Sequence, residues 1–184
     1  MDAPGRALFL DRDGVVNREI GYLCSIDQVE FTPGIFNLCR AAQDNGYKII
    51  IVTNQAGIAR KMYSENDFHL LMRWMGSQFK SHGIDLSDYY YCPHHPEHGT
   101  GKYRLDCPDR KPNPGMLLRA ARDHKLDLNQ SILIGDRCTD MQAGASAGIS
   151  KLIFLSNHQP DPCALPTGCI SIVMLDEALS ILSS

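Results

Sequence analysis

No apolar run in this sequence approaches the roughly 18 residues that a helix needs to cross a bilayer, so no membrane is expected among its partners. The sequence also lacks an excess of positive charge, since 18 Lys and Arg stand against 21 Asp and Glu and leave a net charge of −3. Proteins that bind nucleic acid usually carry a basic domain, so no nucleic-acid partner is expected. The first residues contain neither the basic stretch nor the long apolar stretch of a secretory leader, and we expect a cytoplasmic protein.

The length and composition indicate one folded unit. At about 150 residues per domain, the 184 residues predict a single domain over positions 1–184. Hydrophobic residues make up 43% and charged residues 21%, which is ordinary for a globular protein and argues against disorder. Nothing in this composition requires an oligomer, and we expect a monomer.

Short apolar runs alternate with segments of helical periodicity along the chain. Runs of apolar residues predict strands at residues 7–10, 49–52, 89–91, 131–134, 151–155 and 170–174. Helical segments follow the breaker at 33–34, the capping pair Ser64 and Asp67, and the Pro at 114. Strand–helix alternation of this kind predicts an α/β fold, with a doubly wound and mostly parallel sheet that carries helices on both faces.

Polar groups follow three of these predicted strands at the point where each one ends. Asp11 and Asp13 follow the first strand, residues 53–55 (Thr-Asn-Gln) follow the second, and Asp136 follows the fourth. Each group taken alone also suits a turn or a helix cap. Parallel strands end at one edge of a sheet, where α/β proteins bind ligands. If the second and fourth strands flank the first, the three groups converge on one site.

The converging residues suit the chemistry of a phosphate monoester. Asp11 and Asp136 offer the oxygen ligands that Mg²⁺ prefers, and Lys111 adds a positive charge just before a predicted helix. With the phosphate charge offset by these cations, a carboxylate is able to attack phosphorus and form an aspartyl-phosphate. Asp13 is placed to protonate the leaving oxygen and then to activate water. The sequence therefore predicts a Mg²⁺-dependent phosphatase.

The basic residues are concentrated in the predicted loops. An acidic protein that places half of its cations there is expected to have a focused anion site, although scattered solvated charge is the alternative for individual positions such as Lys102 and Arg104. The loop cations are Arg12, Arg18, Arg60, Lys61, Lys102, Arg104, Arg110, Lys111 and Arg137.

Four short motifs occur in order between about residues 8 and 155, and together they resemble the motifs of the haloacid dehalogenase superfamily of phosphatases. The motifs are Asp11-Arg12-Asp13-Gly14, Thr53-Asn54-Gln55, Lys111, and Gly135-Asp136 with Asp140. Their finer pattern is similar to the D-glycero-D-manno-heptose 1,7-bisphosphate phosphatase family, whose relatives include histidinol-phosphate phosphatases. The resemblance implies a Rossmann-like fold, and the spacing leaves no room for a large cap domain.

The resemblance also implies a role for each matching position. Asp11 is the expected nucleophile and Asp13 the general acid and base, while Thr53 and Lys111 steady the phosphoryl group. The expected Mg²⁺ ligands are Asp11, Asp13 through its backbone carbonyl, and Asp136, whereas Asp140 supports the metal shell or the loop. Arg110 is expected to recognise the phosphate that is not cleaved from a small sugar phosphate. The expected substrate contacts are Arg12, Glu19, Ile20, Gly21, Tyr22, Asn54, Gln55, Ala56, Arg110 and Arg137.

A long irregular stretch at residues 92–112 needs an anchor. Cys92 and His94 at its start, and Cys107 and Asp109 near its end, fall where the resemblance implies a structural zinc loop with the pattern Cys-x-His and Cys-x-Cys. This chain differs at the last ligand, where Asp109 stands in place of a cysteine. Zinc accepts a carboxylate oxygen, so a site of Cys92, His94, Cys107 and Asp109 is expected.

Two alternatives to this zinc site remain open. His98 or His95 is able to supply the fourth ligand instead. A loop that packs without metal is the other interpretation, with Cys92 and Cys107 as free thiols or as a disulfide. We expect zinc to hold the loop so that Arg110 and Lys111 point into the site.

The resemblance implies that the enzyme removes the C7 phosphate of heptose 1,7-bisphosphate, in the synthesis of ADP-heptose for lipopolysaccharide core. Three other functions are alternatives. The same chemistry on histidinol phosphate or another small phosphomonoester is the nearest. A phosphosugar-binding module without catalysis is more remote, because Asp11, Asp13, Lys111 and Asp136 are all present. A phosphatase acting on nucleic-acid ends is disfavoured by the net negative charge.

Overall fold

One six-stranded parallel sheet forms the centre of the computed structural model, which describes residues 4–156 and 164–182. The strands are β1 (Arg6–Leu10), β2 (Tyr47–Asn54), β3 (Leu86–Cys92), β4 (Ile132–Gly135), β5 (Lys151–Leu155) and β6 (Ile170–Ile172). Their spatial order is β3-β2-β1-β4-β5-β6, and every neighbouring pair is parallel. The predicted α/β sheet is confirmed, and β2 and β4 flank β1 as the convergence of the three polar groups requires.

Helices cover both faces of this sheet. They are α1 (Ile35–Asp44), α2 (Ala56–Ala59), α3 (Glu65–Ser81), α4 (Gly115–His124), α5 (Cys138–Ala147) and α6 (Leu179–Leu182). Alternate residues of β1 and β2 point to opposite faces. Leu8 and Ile49 pack with α1, α3 and α6 in one apolar cluster. Phe9 and Ile50 pack with α4 and α5 in the other.

The central strands are apolar on both faces, which explains why their sequences read as continuous runs. All four residues from Ile49 to Val52 have no exposed surface. β2 continues beyond this run, since Thr53 pairs with Tyr91 and Asn54 with Cys92. The polar residues 53 and 54 therefore belong to the strand itself and not to a loop after it, while β6 ends at Ile172, two residues earlier than predicted.

Helix α3 begins at the predicted capping pair. The Ser64 hydroxyl accepts a hydrogen bond from the Asp67 backbone N–H, and the Ser64 backbone N–H donates to the Asp67 carboxylate. The apolar residues of this helix, from Phe68 to Phe79, are buried against the sheet. No helix in residues 4–156 or 164–182 combines the length and the apolar character needed to span a membrane.

Candidate active site

The carboxyl ends of β1, β2 and β4 open onto a cavity of about 640 Å³. All four predicted catalytic residues line it, namely Asp11, Asp13, Thr53 and Lys111. Most of the predicted substrate contacts do so too, namely Glu19, Gly21, Tyr22, Asn54, Gln55, Ala56, Arg110 and Arg137. Of the remaining predicted contacts, Ile20 is 45% exposed and is not among the described residues that line the cavity.

Lys111 lies buried between two carboxylates at the floor of the cavity. Its ammonium forms ion pairs with Oδ1 of Asp11 at 2.9 Å and with Oδ1 of Asp140 at 2.6 Å, and it donates a hydrogen bond to the Val52 carbonyl at 3.0 Å. Burial lowers the pKa of Lys111, but the charges of Asp11 and Asp140 raise it by more. The ammonium is therefore a fixed positive charge beside Asp11.

Asn54 holds the backbone of Lys111 in place. The Asn54 Oδ1 accepts from the Lys111 backbone N–H, and the Asn54 Nδ2 donates to the Lys111 carbonyl, each at 3.0 Å. This pair of bonds ties the end of β2 to a loop residue 57 positions later. Asn54 therefore positions Lys111, in addition to lining the cavity.

Asp13 is surrounded by hydrogen-bond donors. Arg12 donates from Nε and Nη2 to its carboxylate at 2.8–3.1 Å, and the amides of Asn17 and Gln55 donate to it at 3.1 Å each. Arg12 is only 1% exposed and does not line the cavity. The predicted substrate contact by Arg12 is therefore corrected, because its guanidinium faces Asp13 and the ring of Phe68 from within the protein.

Asp11, Asp136 and Asp140 bring one carboxylate oxygen each to within 4.8 Å of one another. Burial, with repulsion from nearby carboxylates, raises the pKa of Asp11 to about 7 and that of Asp136 to about 8. Oδ1 of Asp136 is buried and has no hydrogen-bond partner in the described part of the chain. Buried carboxylates left with excess negative charge and an unused oxygen fit a divalent cation. Both oxygens of Asp140 are engaged, Oδ1 by the Lys111 ammonium and Oδ2 by the Arg137 backbone N–H, so Asp11 and Asp136 are the pair with oxygens to offer.

Gly14 makes room for this cluster. A Cβ atom at Gly14 would lie 1.9 Å from Oδ2 of Asp136, and the backbone φ of Gly14 is +90°. A side chain is excluded there on both counts. The glycine of the first motif therefore lets β1 and β4 bring Asp11 and Asp136 together.

Positive side chains lie together at the end of the cavity that Arg110 lines. Arg110 is held by a hydrogen bond from Nη1 to the His94 carbonyl at 3.1 Å. Burial, followed by the charges of Arg60 and Arg137, lowers the pKa of Arg110. In the described chain neither Arg60 nor Arg110 forms an ion pair with a carboxylate. This end of the cavity is suited to a second anionic group.

Arg137 differs from these cations because it has an acidic partner. Its Nη2 is 3.0 Å from Oε2 of Glu19, and Oε1 of Glu19 accepts a hydrogen bond from the Gly21 backbone N–H. The pair joins the loop after β1 to the end of β4 at the cavity. Both residues were predicted as substrate contacts, and the structure places them in contact with each other.

Six described residues of the cavity wall were not predicted as contacts, namely Gly57, Arg60, Tyr63, His95, Thr139 and Asp140, and two of them are basic. Arg60 was counted only among the loop cations and His95 only as an alternative zinc ligand, yet both line the cavity beside Arg110. Burial, with the charge of Arg110, lowers the pKa of His95. One sequence feature could have identified Arg60 as a wall residue, namely its position shortly after the polar end of β2. It ends the four-residue helix α2, which is too short for periodicity to reveal.

The expected zinc ligands come together only in part. Sγ of Cys92, Sγ of Cys107 and a ring nitrogen of His94 lie within 4.8 Å of one another, and both cysteines are free thiols. Burial, with repulsion from Cys107, raises the pKa of Cys92 to about 12. A cation that binds the thiolates would relieve this cost, so the three donors fit zinc.

Asp109 does not join these three donors. Its Oδ2 is 2.7 Å from Nη1 of Arg119 on α4, and its Oδ1 faces Gly115, where a Cβ atom would lie 2.4 Å away. The expectation that Asp109 is the fourth ligand is therefore not what the structure shows. The guanidinium of Arg119 takes the carboxylate because it offers a charge-assisted hydrogen bond from the next helix.

A second set of contacts holds the same loop on its other side. Glu65 at the start of α3 accepts hydrogen bonds from the hydroxyls of Tyr91 at 2.6 Å and Tyr103 at 2.5 Å. The Thr100 backbone N–H and hydroxyl both donate to the Ala59 carbonyl at 3.2 Å. These bonds join the loop that carries His95 and Arg110 to the helices that follow β2.

Comparison with known proteins identifies the family. Residues 109–165 match the HAD-hydrolase-like family model. Over 165 residues the chain is 47% identical to the D-glycero-alpha-D-manno-heptose-1,7-bisphosphate 7-phosphatase of Burkholderia mallei, and the alignment covers 90% of this chain and 87% of that protein. The chain belongs to the heptose bisphosphate phosphatase family. Another member, the D-glycero-beta-D-manno-heptose-1,7-bisphosphate 7-phosphatase of Vibrio cholerae, is 42% identical over 154 residues, covering 84% of this chain and 83% of that one.

A solved structure from the heptose bisphosphate phosphatase family superposes closely on this chain. The D,D-heptose 1,7-bisphosphate phosphatase of B. bronchiseptica, complexed with magnesium and phosphate, gives a TM-score of 0.85 at 27% identity and covers 97% of this chain and 98% of its own. The predicted superfamily and family are confirmed, and so is the Rossmann-like fold of the HAD-like phosphatases.

Proposed function

We propose that this chain removes the C7 phosphate of D-glycero-D-manno-heptose 1,7-bisphosphate through an aspartyl-phosphate on Asp11. The observation that carries the proposal is the arrangement at the cavity floor, where the Asp11 carboxylate lies 2.9 Å from the buried ammonium of Lys111. Relatives named for this reaction are 40–47% identical to the chain, which supports the same substrate. In a cell the reaction would serve the synthesis of ADP-heptose for lipopolysaccharide core.

In the first step an Oδ atom of Asp11 attacks phosphorus. The new bond joins Asp11 to the phosphoryl group, and the bond between phosphorus and the sugar O7 breaks. Lys111 and the Thr53 hydroxyl offer hydrogen bonds to the phosphoryl oxygens, where negative charge is concentrated. The departing O7 takes a proton from Asp13, which leaves the sugar as an alcohol.

In the second step Asp13 acts as the base. Having given its proton to the sugar, its carboxylate accepts a proton from a water molecule, and that water attacks phosphorus. The acyl-phosphate bond breaks, so inorganic phosphate leaves and Asp11 returns as a carboxylate. Hydrogen bonds from Arg12, Asn17 and Gln55 hold the Asp13 side chain in place for both steps.

Mg²⁺ is the cofactor that the proposal requires. Asp11, Asp136 and the backbone carbonyl of Asp13 would hold it. When bound, the ion offsets negative charge on the carboxylates and on the phosphate. The raised pKa values of Asp11 and Asp136 and the unpaired Oδ1 of Asp136 support this assignment.

The second phosphate of a bisphosphate explains the cations at the other end of the cavity. Arg60 and Arg110 face this space without carboxylate partners in the described chain, and His95 lies beside them. One guanidinium group can donate two parallel hydrogen bonds to the oxygens of a phosphate. These cations would therefore hold the C1 phosphate while the C7 phosphate is removed. Glu19, Gly21, Tyr22 and Ala56 would contact the sugar between the two phosphates.

We include a structural zinc ion in the proposal, bound by Cys92, His94 and Cys107. The loop at 92–112 would then be an inserted metal-binding loop within one domain over residues 1–184. The site lies within one chain, and the substrate is a small soluble sugar phosphate. A monomeric, cytoplasmic enzyme that needs neither nucleic acid nor membrane is consistent with both facts.

A panel of phosphomonoesters tests the proposed substrate. Phosphate release would be measured with Mg²⁺ on both anomers of heptose 1,7-bisphosphate, histidinol phosphate, fructose 1,6-bisphosphate and a 3′-phosphorylated oligonucleotide. A kcat/KM at least about a hundredfold higher on one heptose anomer than on the other classes is expected, equal to about 2.7 kcal/mol of transition-state binding. Weak and equal activity on every compound would contradict the substrate, and complete inactivity would favour a phosphosugar-binding module.

A further inference from the structure

A tyrosine hydroxyl that the reaction scheme does not use lies in the cavity wall. Tyr63 follows α2 and is only 9% exposed. Its hydroxyl donates a hydrogen bond of 2.5 Å to Oε1 of Gln55. Burial raises the pKa of this hydroxyl, so it remains a neutral donor in the range where phosphatases are assayed.

The other end of the Gln55 amide meets two members of the catalytic set. Nε2 of Gln55 donates to Oγ1 of Thr53 at 2.8 Å and to Oδ2 of Asp13 at 3.1 Å. Both amide protons are therefore used, and the carbonyl oxygen takes the tyrosine proton. If the amide turned over, the bond that Nε2 donates to Asp13 and the bond that Oε1 accepts from Tyr63 would both be lost.

The backbone is shaped to admit the tyrosine ring. A Cβ atom at Gly57 would lie 2.3 Å from Cε1 and 2.8 Å from the hydroxyl oxygen of Tyr63. Any side chain at position 57 would therefore push the ring away from Gln55. Glycine at this position and tyrosine six residues later together produce the contact.

We infer that Tyr63 is a positioning residue: it fixes the orientation of the Gln55 amide, and through that amide it holds Asp13 and Thr53 for phosphoryl transfer. The inference rests on the proposed function, because Asp13 and Thr53 have their roles from it. Since Tyr63 acts on the groups that transfer protons and bind the phosphoryl oxygens, its effect falls on kcat and not on KM.

The substitution Tyr63→Phe removes the hydroxyl and keeps the ring. We expect kcat for 4-nitrophenyl phosphate and for heptose 1,7-bisphosphate to fall about tenfold, with KM within about twofold of wild type, which is the size expected for one lost hydrogen bond. Tyr90→Phe is the matched control, because Tyr90 is also buried and its hydroxyl donates to Asp123 at 2.8 Å, away from Asp13. The control should keep its kcat.

A double-mutant cycle separates positioning from a general loss of structure. In a Gln55→Leu background, Tyr63→Phe should change kcat by less than about twofold, because the group through which it acts is gone. A tenfold fall in both backgrounds would overturn the inference, and so would a wild-type kcat in the single variant Tyr63→Phe.

Failure of the inference is distinguishable from failure of the proposed function. If the wild-type enzyme cleaves 4-nitrophenyl phosphate but not heptose 1,7-bisphosphate, the proposed substrate is wrong. The double-mutant cycle is then measured with 4-nitrophenyl phosphate, and it still tests the role of Tyr63. If neither compound is cleaved, the nuclear magnetic resonance signal of the Gln55 side-chain amide gives the answer. That signal should move in Tyr63→Phe and stay in Tyr90→Phe, and an unmoved signal in both would overturn the inference.

Discussion

Lys111 and Asp140 form a buried ion pair, with 2.6 Å between Nζ and Oδ1 and at most 3% of either side chain exposed. The same ammonium is 2.9 Å from Asp11, so two carboxylates share one cation. Oδ2 of Asp140 also accepts the Arg137 backbone N–H at 3.0 Å, at the start of α5. Asp140 thus fixes Lys111 in place and balances part of its charge, which leaves Asp11 less tightly paired.

The substitution Asp140→Asn should lower kcat by about ten- to a hundredfold, because Lys111 would then pair with Asp11 alone and its ammonium would no longer be held toward the phosphate. Steady-state kinetics with Mg²⁺ measure the effect. Asp88→Asn is the control, since Asp88 lies near the start of β3, contacts His124 at 3.1 Å and does not line the cavity. A kcat equal to that of wild type in Asp140→Asn would show that Lys111 needs no second carboxylate.

Stabilisation by Mg²⁺ should increase with pH. In the folded protein the pKa of Asp11 is raised from 3.8 to about 7, and that of Asp136 from 3.8 to about 8. Between about pH 4 and pH 8 the metal-free folded protein therefore binds more protons than the unfolded chain does. Its free energy of unfolding therefore falls as pH rises from about 4 to 8. Because Mg²⁺ binds the charged carboxylates, the increase in Tm that it causes should be larger at pH 8.5 than at pH 6.

Thermal denaturation in Mg²⁺ and in EDTA measures this difference at each pH. The variant Asp136→Asn supplies the control, since it removes one ligand and one of the two raised pKa values. Its Tm should respond weakly to Mg²⁺ at both pH values. An Mg²⁺ effect on wild type that is equal at pH 6 and pH 8.5 would refute the assignment of these carboxylates as ligands.

Zinc content should depend on Cys92 and not on Asp109. The Asp109 carboxylate binds Arg119 at 2.7 Å and lies outside the group formed by Cys92, His94 and Cys107. We expect Cys92→Ser to lose most of its zinc, because a thiolate ligand is removed, while Asp109→Ala keeps it. Elemental analysis of freshly purified protein measures both. Wild type without zinc would contradict the metal site, and loss of zinc from Asp109→Ala would restore Asp109 as a ligand.

Glu65 should influence the affinity for a bisphosphate without contacting it. Its carboxylate accepts from Tyr91 and Tyr103, and these bonds, the one from Tyr103 foremost, lower the pKa of Glu65. In Glu65→Gln the amide offers one acceptor oxygen in place of two, so the loop carrying Arg110 is held less firmly. We expect KM for the bisphosphate to rise by about threefold or more, while kcat for 4-nitrophenyl phosphate stays unchanged.

The matched control for Glu65→Gln is Glu97→Gln, which lies on the loop that carries Arg110. In the described chain the Glu97 carboxylate forms one ion pair, a 3.9 Å contact with His98. It should behave as wild type. If Glu65→Gln raised KM equally for the bisphosphate and for 4-nitrophenyl phosphate, the carboxylate would act on the whole site and not on the end that carries Arg110.

The sequence is sufficient to predict which strand ends meet. Asp11, Thr53 and Asp136 follow apolar runs that only a central parallel strand explains, and parallel strands end at one edge. The direction of a side chain beside such an end is less predictable. Arg12 stands in a polar motif between two acidic residues, yet its side chain is buried in the protein against Asp13.

Residues brought in from loops were harder to predict. Tyr63 and His95 reach the cavity only because α2 and the 92–112 loop pack together, and no periodicity encodes that contact. Asp109 has the right chemistry for zinc at the right spacing. Its side chain binds Arg119, ten residues later on α4, and that competition between partners becomes visible only once the helix is placed.

The substitution Asp11→Asn tests whether Asp11 carries the phosphoryl group. The amide is nearly the same size as the carboxylate, so the fold should be kept, as circular dichroism and Tm will show. Phosphate release from heptose 1,7-bisphosphate would be measured for wild type and variant side by side. We expect kcat to fall by more than about a hundredfold, because the nucleophile is lost. A variant that keeps more than about a hundredth of the wild-type kcat would contradict it.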